Sequence, residues 1–264
     1  MRKRKNLERA IILGVILSTG VYGSAWADFG ESLYVENILD ANGNPTAGNP
    51  LYGIWGWKSH HGSGGIADYR EYDREYDNIT VTVRNNYYLI GETSGVQAIG
   101  IGDAGDAGVI LVSGNGMTVN VETRNAQNGY GLNAVNPEKG IDLTANTGDI
   151  TVDVSKTKGL ANGSLVDPAY ENSIVHGINV ENSSVNLNAA KGNISITAYY
   201  NTEAAQENSK LLEGNIYAIG NNNGTVNLNA GKAITLSATA HNGDAYGFDS
   251  YEGTSNVTAG SLLL

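Results

Sequence analysis

The amino-acid sequence predicts an all-β protein whose main part is a right-handed parallel β-helix, a solenoid of stacked three-strand coils. The first observation is composition: the 264 residues include 35 Gly and 32 Asn but no Cys, and only 16 % are charged. Glycine and asparagine disfavour helices, while 41 % apolar residues is too many for a disordered chain. The second is apolar–polar alternation in short segments, and the third is the recurrence of these segments in a fixed order.

Residues 1–27 have the three parts of a secretory signal peptide. A basic start, MRKRK, precedes an apolar stretch over residues 10–21, and the segment AWA then supplies small residues where a signal peptidase cleaves. The apolar stretch is too short and too interrupted for a membrane-spanning helix. We therefore expect cleavage between Ala27 and Asp28 and export of the mature chain.

Charge and cysteine content narrow the environment further. The chain has 16 basic and 27 acidic side chains, a formal net charge of −11, and removal of residues 1–27 makes it −15. Nucleic acid and anionic lipid attract Lys and Arg, so neither is an expected partner. Small exported domains often depend on disulfides, so a chain without Cys must be held together by a long core instead.

Residues 28–77 are assigned to an N-terminal cap region because they carry no clear repeat. They contain turn signals such as NGNP and HGSGG and end in ADYREYDREYDN. Tyr69, Tyr72 and Tyr76 recur there at spacings of three and four, which predicts a short amphipathic helix. Such a cap would close the end of a repeat array. A tyrosine-rich contact surface is the alternative interpretation.

Residues 78–264 repeat three kinds of segment. The first is an alternating strand (NITVTV, GMTVNV, GDITVDV, GNISITA, GKAITLSA), the second a glycine unit (AIGI, GYGL, VHGI, YAIG, AYGF), and the third another alternating strand (GVILV, GIDLTA, SVNLNA, TVNLNA, SNVTA). Alternation with one apolar face is typical of a half-buried strand. One coil cannot bury its apolar face, whereas stacked coils share a continuous core. A β-sandwich is the competing fold, but its hairpins need no three-part repeat.

The spacing of these segments predicts which corners of the coil vary. The third segment reaches the first segment of the next coil in 8 or 9 residues each time. The distance from the first segment to the middle glycine instead ranges from 13 to 27 residues. Two corners should therefore be short, while the third accepts insertions. The glycines aligned as the middle of each coil are Gly100, Gly131, Gly177 and Gly220.

Stacking in register places equivalent outward side chains above one another, at the strand spacing of about 4.8 Å. Stacked amides can form hydrogen bonds along such a column, which explains the high asparagine content without a catalytic role. We expect two columns, Asp142–Asn186–Asn227 and Thr144–Asn188–Asn229.

The segments GDITVDV, GNISITA, SVNLNAAKGN and TVNLNAGKAITLSA, with the coil glycines of HGI and AYGF, resemble the passenger region of Gram-negative autotransporter and haemagglutinin-like adhesins. The resemblance covers residues 78–260 and the signal peptide. It implies a virulence-associated passenger at the outer-membrane surface or released from it, serving adhesion, aggregation or host contact. Autotransporters also carry a C-terminal translocator β-barrel, which this sequence lacks. We interpret the chain as an N-terminal fragment whose repeats are incomplete at Leu264.

No catalytic, cofactor or metal site is expected. Residues 100–105 match G-x-G-x-x-G but lead into the strand GVILV, so the helix that nucleotide binding needs is missing. The stretch GIGDAGDAG is similar to one calcium-binding nonapeptide, in which Asp103 and Asp106 could offer oxygen ligands. That pattern must recur every nine residues and occurs only once here, so a glycine-rich corner is expected. His60 and His61 are adjacent, and His176 and His241 are interpreted as corner residues, so no metal-ligand spacing results. A polysaccharide-cleaving β-helix remains the enzymatic alternative, although outward positions are Asn and Thr more often than Asp.

The corner of variable length is the expected binding region. It carries Tyr87 and Tyr88, then Tyr170 within NGSLVDPAYENS, then Tyr199 and Tyr200 before NTEAAQENSK. Tyrosine offers contact area and a polar group at a small entropic cost. These five residues are the candidate adhesive contacts, towards a host surface protein or glycan or a neighbouring bacterial cell. Two alternatives are solvated loops without contacts and a non-binding structural stalk.

Overall fold

The fold is taken from a computed structural model. It describes residues 32–39, 51–56, 75–85, 92–99, 108–124, 128–136, 140–157, 174–201, 215–240 and 243–263. The predicted signal peptide and its cleavage site at Ala27 and Asp28 lie outside these ranges. None of the described residues forms a helix of the length and apolarity needed to cross a membrane.

The described residues form strands joined by turns, and every strand pairing is parallel. In chain order the strands are β1 (Leu33–Leu39), β2 (Leu51–Gly56), β3 (Glu75–Tyr76), β4 (Ile79–Asn85), β5 (Glu92–Ile99), β6 (Gly108–Ser113), β7 (Met117–Arg124), β8 (Asn128–Val135), β9 (Gly140–Ala145), β10 (Ile150–Thr157), β11 (Val175–Glu181), β12 (Ser184–Ala189), β13 (Ile194–Asn201), β14 (Ile216–Asn222), β15 (Thr225–Ala230), β16 (Ala233–Thr239), β17 (Ala245–Tyr251), β18 (Thr254–Thr258) and β19 (Ser261–Leu263).

Three sheets run along the molecule, and each coil gives one strand to each sheet. Sheet A has the order β1-β4-β7-β10-β13-β16-β19, sheet B the order β2-β5-β8-β11-β14-β17, and sheet C the order β3-β6-β9-β12-β15-β18. A strand therefore pairs only with its equivalents in the preceding and following coils. This arrangement confirms the predicted parallel β-helix.

The array of coils begins earlier than residue 78. Strands β1, β2 and β3 pair in parallel with β4, β5 and β6, so the described part of region 28–77 is a first coil. The predicted helix over Tyr69–Tyr76 is wrong at its end, because Glu75 and Tyr76 form β3. Tyr76 is 5 % exposed and belongs to the core. Its burial against the coils outweighs the helical spacing of the tyrosines.

Alternate residues of all three sheets form one core along the axis. In sheet A, Ile150 pairs with Ile194 and Ile194 with Ile234, and none of the three is measurably exposed. The neighbouring inward column holds Val152 and Ile196, which are also fully buried. Each such aliphatic side chain contributes about 1.5–3 kcal/mol through removal from water. The core is thus built from columns of like residues.

The predicted asparagine columns are confirmed on the outer face of sheet C. Asn186 pairs with Asp142 on one side and with Asn227 on the other. The Nδ2 group of Asn227 donates to Asn186 Oδ1 at 2.6 Å, and Nδ2 of Asn256 donates to Asn227 Oδ1 at 2.8 Å. In the second column, Nδ2 of Asn229 donates to Asn188 Oδ1 at 2.9 Å.

Asparagine has a further role at the corner between sheets B and C. Asn136, Asn182 and Asn223 adopt left-handed backbone conformations with φ of 51°, 47° and 53°, and asparagine tolerates this region better than other side-chain-bearing residues. Nδ2 of Asn223 donates to Asn182 Oδ1 at 2.7 Å. Stacked asparagines therefore stabilise both the turn between sheets B and C and the outer face of sheet C.

Glycine forms a column inside sheet B where its strands lie against sheet A. A Cβ atom on Gly131 would lie 2.2 Å from Val152 Cγ1, and one on Gly177 would lie 2.4 Å from Ile196 Cγ2. The predicted alignment of this column was wrong at Gly220, which pairs with Asn179. Gly177 lies opposite Ala218, because the residues on either side of the two are paired. Predicted Gly100 lies outside the described residues.

Candidate functional site

Connections from sheet A to sheet B vary widely in length, as predicted, but those from sheet B to sheet C vary as much. Between sheets A and B the shortest spans residues 125–127, while 158–174 and 202–215 are the longest. Connections from sheet C to sheet A have two to four residues in every coil. The prediction of two short corners is wrong for the first two coils, where sheets B and C are joined through residues 57–74 and 100–107. We call the junction of sheets A and B the variable corner.

The structure places two of the five predicted contact tyrosines. Tyr199 and Tyr200 are consecutive residues of β13 and not part of a loop. Tyr199 lies on the outer face and is half-buried, whereas Tyr200 is 9 % exposed and belongs to the core. Tyr200 is therefore a packing residue at the base of the variable corner, and Tyr199 alone of the pair can meet a partner. Tyr87, Tyr88 and Tyr170 lie outside the described ranges.

The base of the variable corner is polar on its inner side. Thr123, Lys156 and Tyr200 form the last inward column of sheet A. Thr123 and Lys156 are 0 % and 2 % exposed, and the Lys156 ammonium lies 5.8 Å from the centre of the Tyr200 ring. A cation over an aromatic face is stabilised by the ring quadrupole. The apolar core thus ends here in a buried cation and an aromatic ring.

An aromatic column follows the outer face of sheet B next to the variable corner. It consists of Tyr130, His176, Tyr217 and Tyr246 in successive coils. The ring centroids lie 5.7 Å apart for Tyr130 and His176, 4.5 Å for His176 and Tyr217, and 4.9 Å for Tyr217 and Tyr246. The prediction that His176 is a corner residue is wrong, since it lies within β11.

His176 fills space that a glycine leaves open. A Cβ on Gly220 would lie 2.6 Å from His176 Cε1, so the imidazole occupies the position of a missing side chain in the next coil. Only 9 % of the residue is exposed, and its Nδ1 atom has no hydrogen-bond partner. Burial lowers the pKa of His176 to about 3, against weaker raising effects from the Asn179 side chain and the Ile178 backbone. The ring is therefore neutral near pH 7.

The same face of sheet B is polar yet shielded from water. Ser94 and Gln97 have no measurable exposure, and the Ser94 hydroxyl and both amide atoms of Gln97 lack hydrogen-bond partners. Asn133 is 2 % exposed and accepts a hydrogen bond from Asn179 at 2.9 Å. Buried polar atoms are usually paired, so this cluster is an unusual feature of the solenoid. Sequence analysis missed it because polar outward residues are typical of a solvated strand face.

Towards the last coils the aromatic column becomes accessible. Tyr217 and Tyr246 stack with 10° between their ring planes, and Tyr246 is 37 % exposed. Asn215 donates to the Tyr217 hydroxyl at 2.9 Å, while the Tyr246 hydroxyl donates to Asp244 at 3.5 Å. The pKa of Tyr246 is raised, chiefly by the Asp244 charge. Aromatic edges, amides and a carboxylate thus line the accessible end of this face.

Comparison with protein-family models, with curated proteins and with solved structures finds no match for this chain. Function is therefore inferred from the residues and geometry of the chain itself.

Most hydrogen-bonding groups on the outer face of sheet B are buried, and Tyr246 is the exposed ring of its aromatic column. Its histidine is held neutral by burial. Within the described ranges, no three His, Asp or Glu side chains are grouped closely enough to hold a metal ion.

Proposed function

We propose that the protein is an exported, non-catalytic passenger of the autotransporter type that binds its partner through the variable corner and the adjoining face of sheet B. The proposal rests on the difference in length between the connections at two corners of the coil. Connections from sheet A to sheet B grow from 125–127 to 158–174, while those from sheet C to sheet A keep two to four residues.

A solenoid gives such connections a rigid support. Each coil is fixed by its neighbours, so loops that leave one corner of successive coils lie side by side along one edge. Binding residues are often carried on loops held by a rigid scaffold. Tyr199 and the exposed ring of Tyr246 border the same edge, and each supplies an aromatic contact with a polar group.

The partner that suits this edge is a host surface protein or glycan, or the surface of a neighbouring bacterial cell. The signal peptide supports export, and the resemblance to autotransporter and haemagglutinin-like passengers supports display at an outer membrane. The net charge of −11 disfavours nucleic acid as a partner.

Shortening the loops tests the proposal. In the mature chain, residues 158–174 and 202–215 are each replaced by a three-residue link, because the 125–127 connection closes a coil with that length. Binding to cultured host cells, matrix proteins and immobilised glycans should fall about tenfold or more, which corresponds to a loss of about 1.4 kcal/mol. Circular dichroism and the unfolding midpoint establish that the variants are folded.

The matched control shortens residues 57–74, an equally long connection that joins sheets B and C instead. Its binding should equal that of the unmodified chain. Unchanged binding by the folded double-loop variant would refute the proposal. Binding of no cell, matrix protein or glycan by the unmodified chain would identify a structural stalk, and release of sugars from a polysaccharide would identify an enzyme.

A further inference from the structure

A groove of about 390 Å³ spans four neighbouring strands of sheet A, β1, β4, β7 and β10, at the corner between sheets C and A. It lies at a different corner from the variable one, and the proposed adhesive loops are not part of it. Its walls include Tyr34, Asn78, Gly116 and Asp149, and its floor is a row of threonines. We call this feature the threonine groove.

The groove exists because a glycine interrupts a column of polar side chains. Asn78, Gly116, Asp149 and Asn193 are equivalent residues of successive coils, because each backbone carbonyl accepts from the first residue of the sheet A strand one coil earlier. Asp149 Oδ1 accepts from the Asn193 backbone N–H at 2.7 Å and from its Nδ2 group at 3.1 Å. Gly116 has no side chain that could accept from the Asp149 backbone N–H in the same way. A Cβ there would lie 3.0 Å from the Asp149 carbonyl oxygen and 3.5 Å from its nitrogen, so the glycine also allows the two coils to approach closely.

The floor of the groove is a regular row of hydroxyl groups. Thr80, Thr118 and Thr151 pair in register across β4, β7 and β10, so their side chains repeat at the strand spacing of about 4.8 Å. Tyr34 continues this outward column one coil earlier, opposite Thr80, and is 56 % exposed. An accessible aromatic ring thus stands at one end of a row of hydroxyls.

We propose that the threonine groove binds neutral sugar units of a glycan. A pyranose presents hydroxyl groups around a ring whose C–H faces are apolar, and it needs both an aromatic contact and hydrogen-bonding partners. Tyr34 supplies the aromatic contact, and the threonines and Asn78 donate and accept hydrogen bonds. Asp149 binds Asn193 through Oδ1 only, so Oδ2 is free to accept from a sugar hydroxyl.

The charges around the groove select against acidic ligands. No Lys or Arg lines it, and the Asp149 carboxylate is its charged group. An acidic sugar would be repelled by Asp149 without compensation from a cation. A purely apolar ligand would bury the hydroxyl row without hydrogen bonds, which is costly. Neutral polyhydroxylated chains satisfy both conditions.

Titration calorimetry of residues 28–264 with triacetylchitotriose, cellotriose and maltotriose tests the proposal, with trigalacturonate as the acidic comparison. At least one neutral trisaccharide should bind with a Kd of about 1 mM or tighter. The decisive variant is Gly116→Asn, which provides the side chain found at Asn193 and fills the gap. It should lower the affinity about tenfold. Because its Cβ would lie 3.0 Å from the Asp149 carbonyl oxygen, circular dichroism and the unfolding midpoint establish that the variant is folded.

Two further variants complete the test. Tyr34→Ala should lower the affinity about fivefold through loss of the aromatic contact. Thr235→Ala, in the same outward column as Thr151 but two coils away and outside the groove, should leave the affinity unchanged.

The proposal is overturned if no neutral trisaccharide binds at about 10 mM, if trigalacturonate binds as tightly, or if Gly116→Asn and Tyr34→Ala both bind normally. The variants with shortened 158–174 and 202–215 connections should keep full trisaccharide affinity. Loss of sugar binding in those variants alone would assign it to the variable corner. Failure of the groove and failure of the adhesive corner are therefore separate outcomes.

Discussion

The glycine column of sheet B predicts that one added methyl group has opposite effects in two coils. Gly177→Ala places a Cβ 2.4 Å from Ile196 Cγ2 and 2.6 Å from the Ala218 carbonyl oxygen. Gly247 occupies the same column two coils later, opposite Ala218, and a Cβ there has nothing within 4 Å. The two substitutions are chemically identical and differ only in their surroundings.

The expected cost follows from these distances. Carbon atoms in favourable contact lie about 3.5–4.0 Å apart, so Ile196 must retreat by about 1 Å. The Ala218 carbonyl is backbone between two paired residues of β14, so its displacement also disturbs the sheet. Overpacking of this kind costs about 3 kcal/mol, the upper part of its usual range. Gly247→Ala should instead stabilise by about 0.5 kcal/mol, because alanine restricts the unfolded chain.

Urea denaturation followed by far-ultraviolet circular dichroism measures both effects. The free energy of unfolding should differ by about 3.5 kcal/mol between the two variants. A repair is available from the neighbouring coil, where Ala218 and Leu236 hold the positions of Gly177 and Ile196. Leucine lacks the Cγ2 branch, so adding Ile196→Leu to Gly177→Ala should recover about 1 kcal/mol. Equal stability of Gly177→Ala and Gly247→Ala would refute the packing argument.

Two other substitutions test the buried histidine and the asparagine columns. Folding lowers the pKa of His176 from 6.5 to about 3, so the unfolded chain binds a proton in this range that the folded chain does not. The free energy of unfolding therefore decreases as the pH falls from 6.5 towards about 3. His176→Phe should abolish this loss, which amounts to about 2 kcal/mol between pH 7 and pH 5. Parallel urea titrations at the two pH values measure the free energy of unfolding of both chains. The same pH dependence in both would contradict the burial of His176. Asn227→Ala removes two hydrogen bonds of its column and should lower the free energy of unfolding by about 2 kcal/mol. Asn229→Ala removes one such bond and should lower it by about 1 kcal/mol in the same thermal unfolding assay. Equal costs would show that the columns do not act as continuous ladders.

The outer columns of sheet C could be predicted from sequence because the step from sheet C to sheet A is nearly constant. With that step known, Asn186 and Asn227 fall on the same side of adjacent strands, and their pairing follows from alternation alone. The same constant step showed that changes in repeat length fall at the other two corners, but not that sheets B and C take the insertions of the first two coils, 57–74 and 100–107.

The first coil and the interior of sheet B could not be predicted in the same way. Strand β1 lacks the Gly-Asp or Gly-Asn opening that precedes β10 and β13 in sheet A, and residues 28–77 carry no clear repeat. Only the pairing of β1 and β2 with β4 and β5 therefore reveals the first coil. Glycine occurs in sheet B both inside, at Gly177, and beside His176, at Gly220, and a sequence pattern does not separate the two. The burial of His176 depends on residues of neighbouring coils. The threonine groove depends on the missing side chain at Gly116, which no sequence motif indicates.

The pairing of each strand only with the coils before and after it has a mechanical consequence. Hydrogen bonds between coils run along the axis, so tension along that axis opens them one coil after another. The shortest of the central coils runs from Met117 to Ile150, and the longest coil runs from Leu33 to Ile79. Each released coil would lengthen the chain by roughly 110–150 Å. A chain that unfolds in such steps under tension limits the peak force that acts at its two ends.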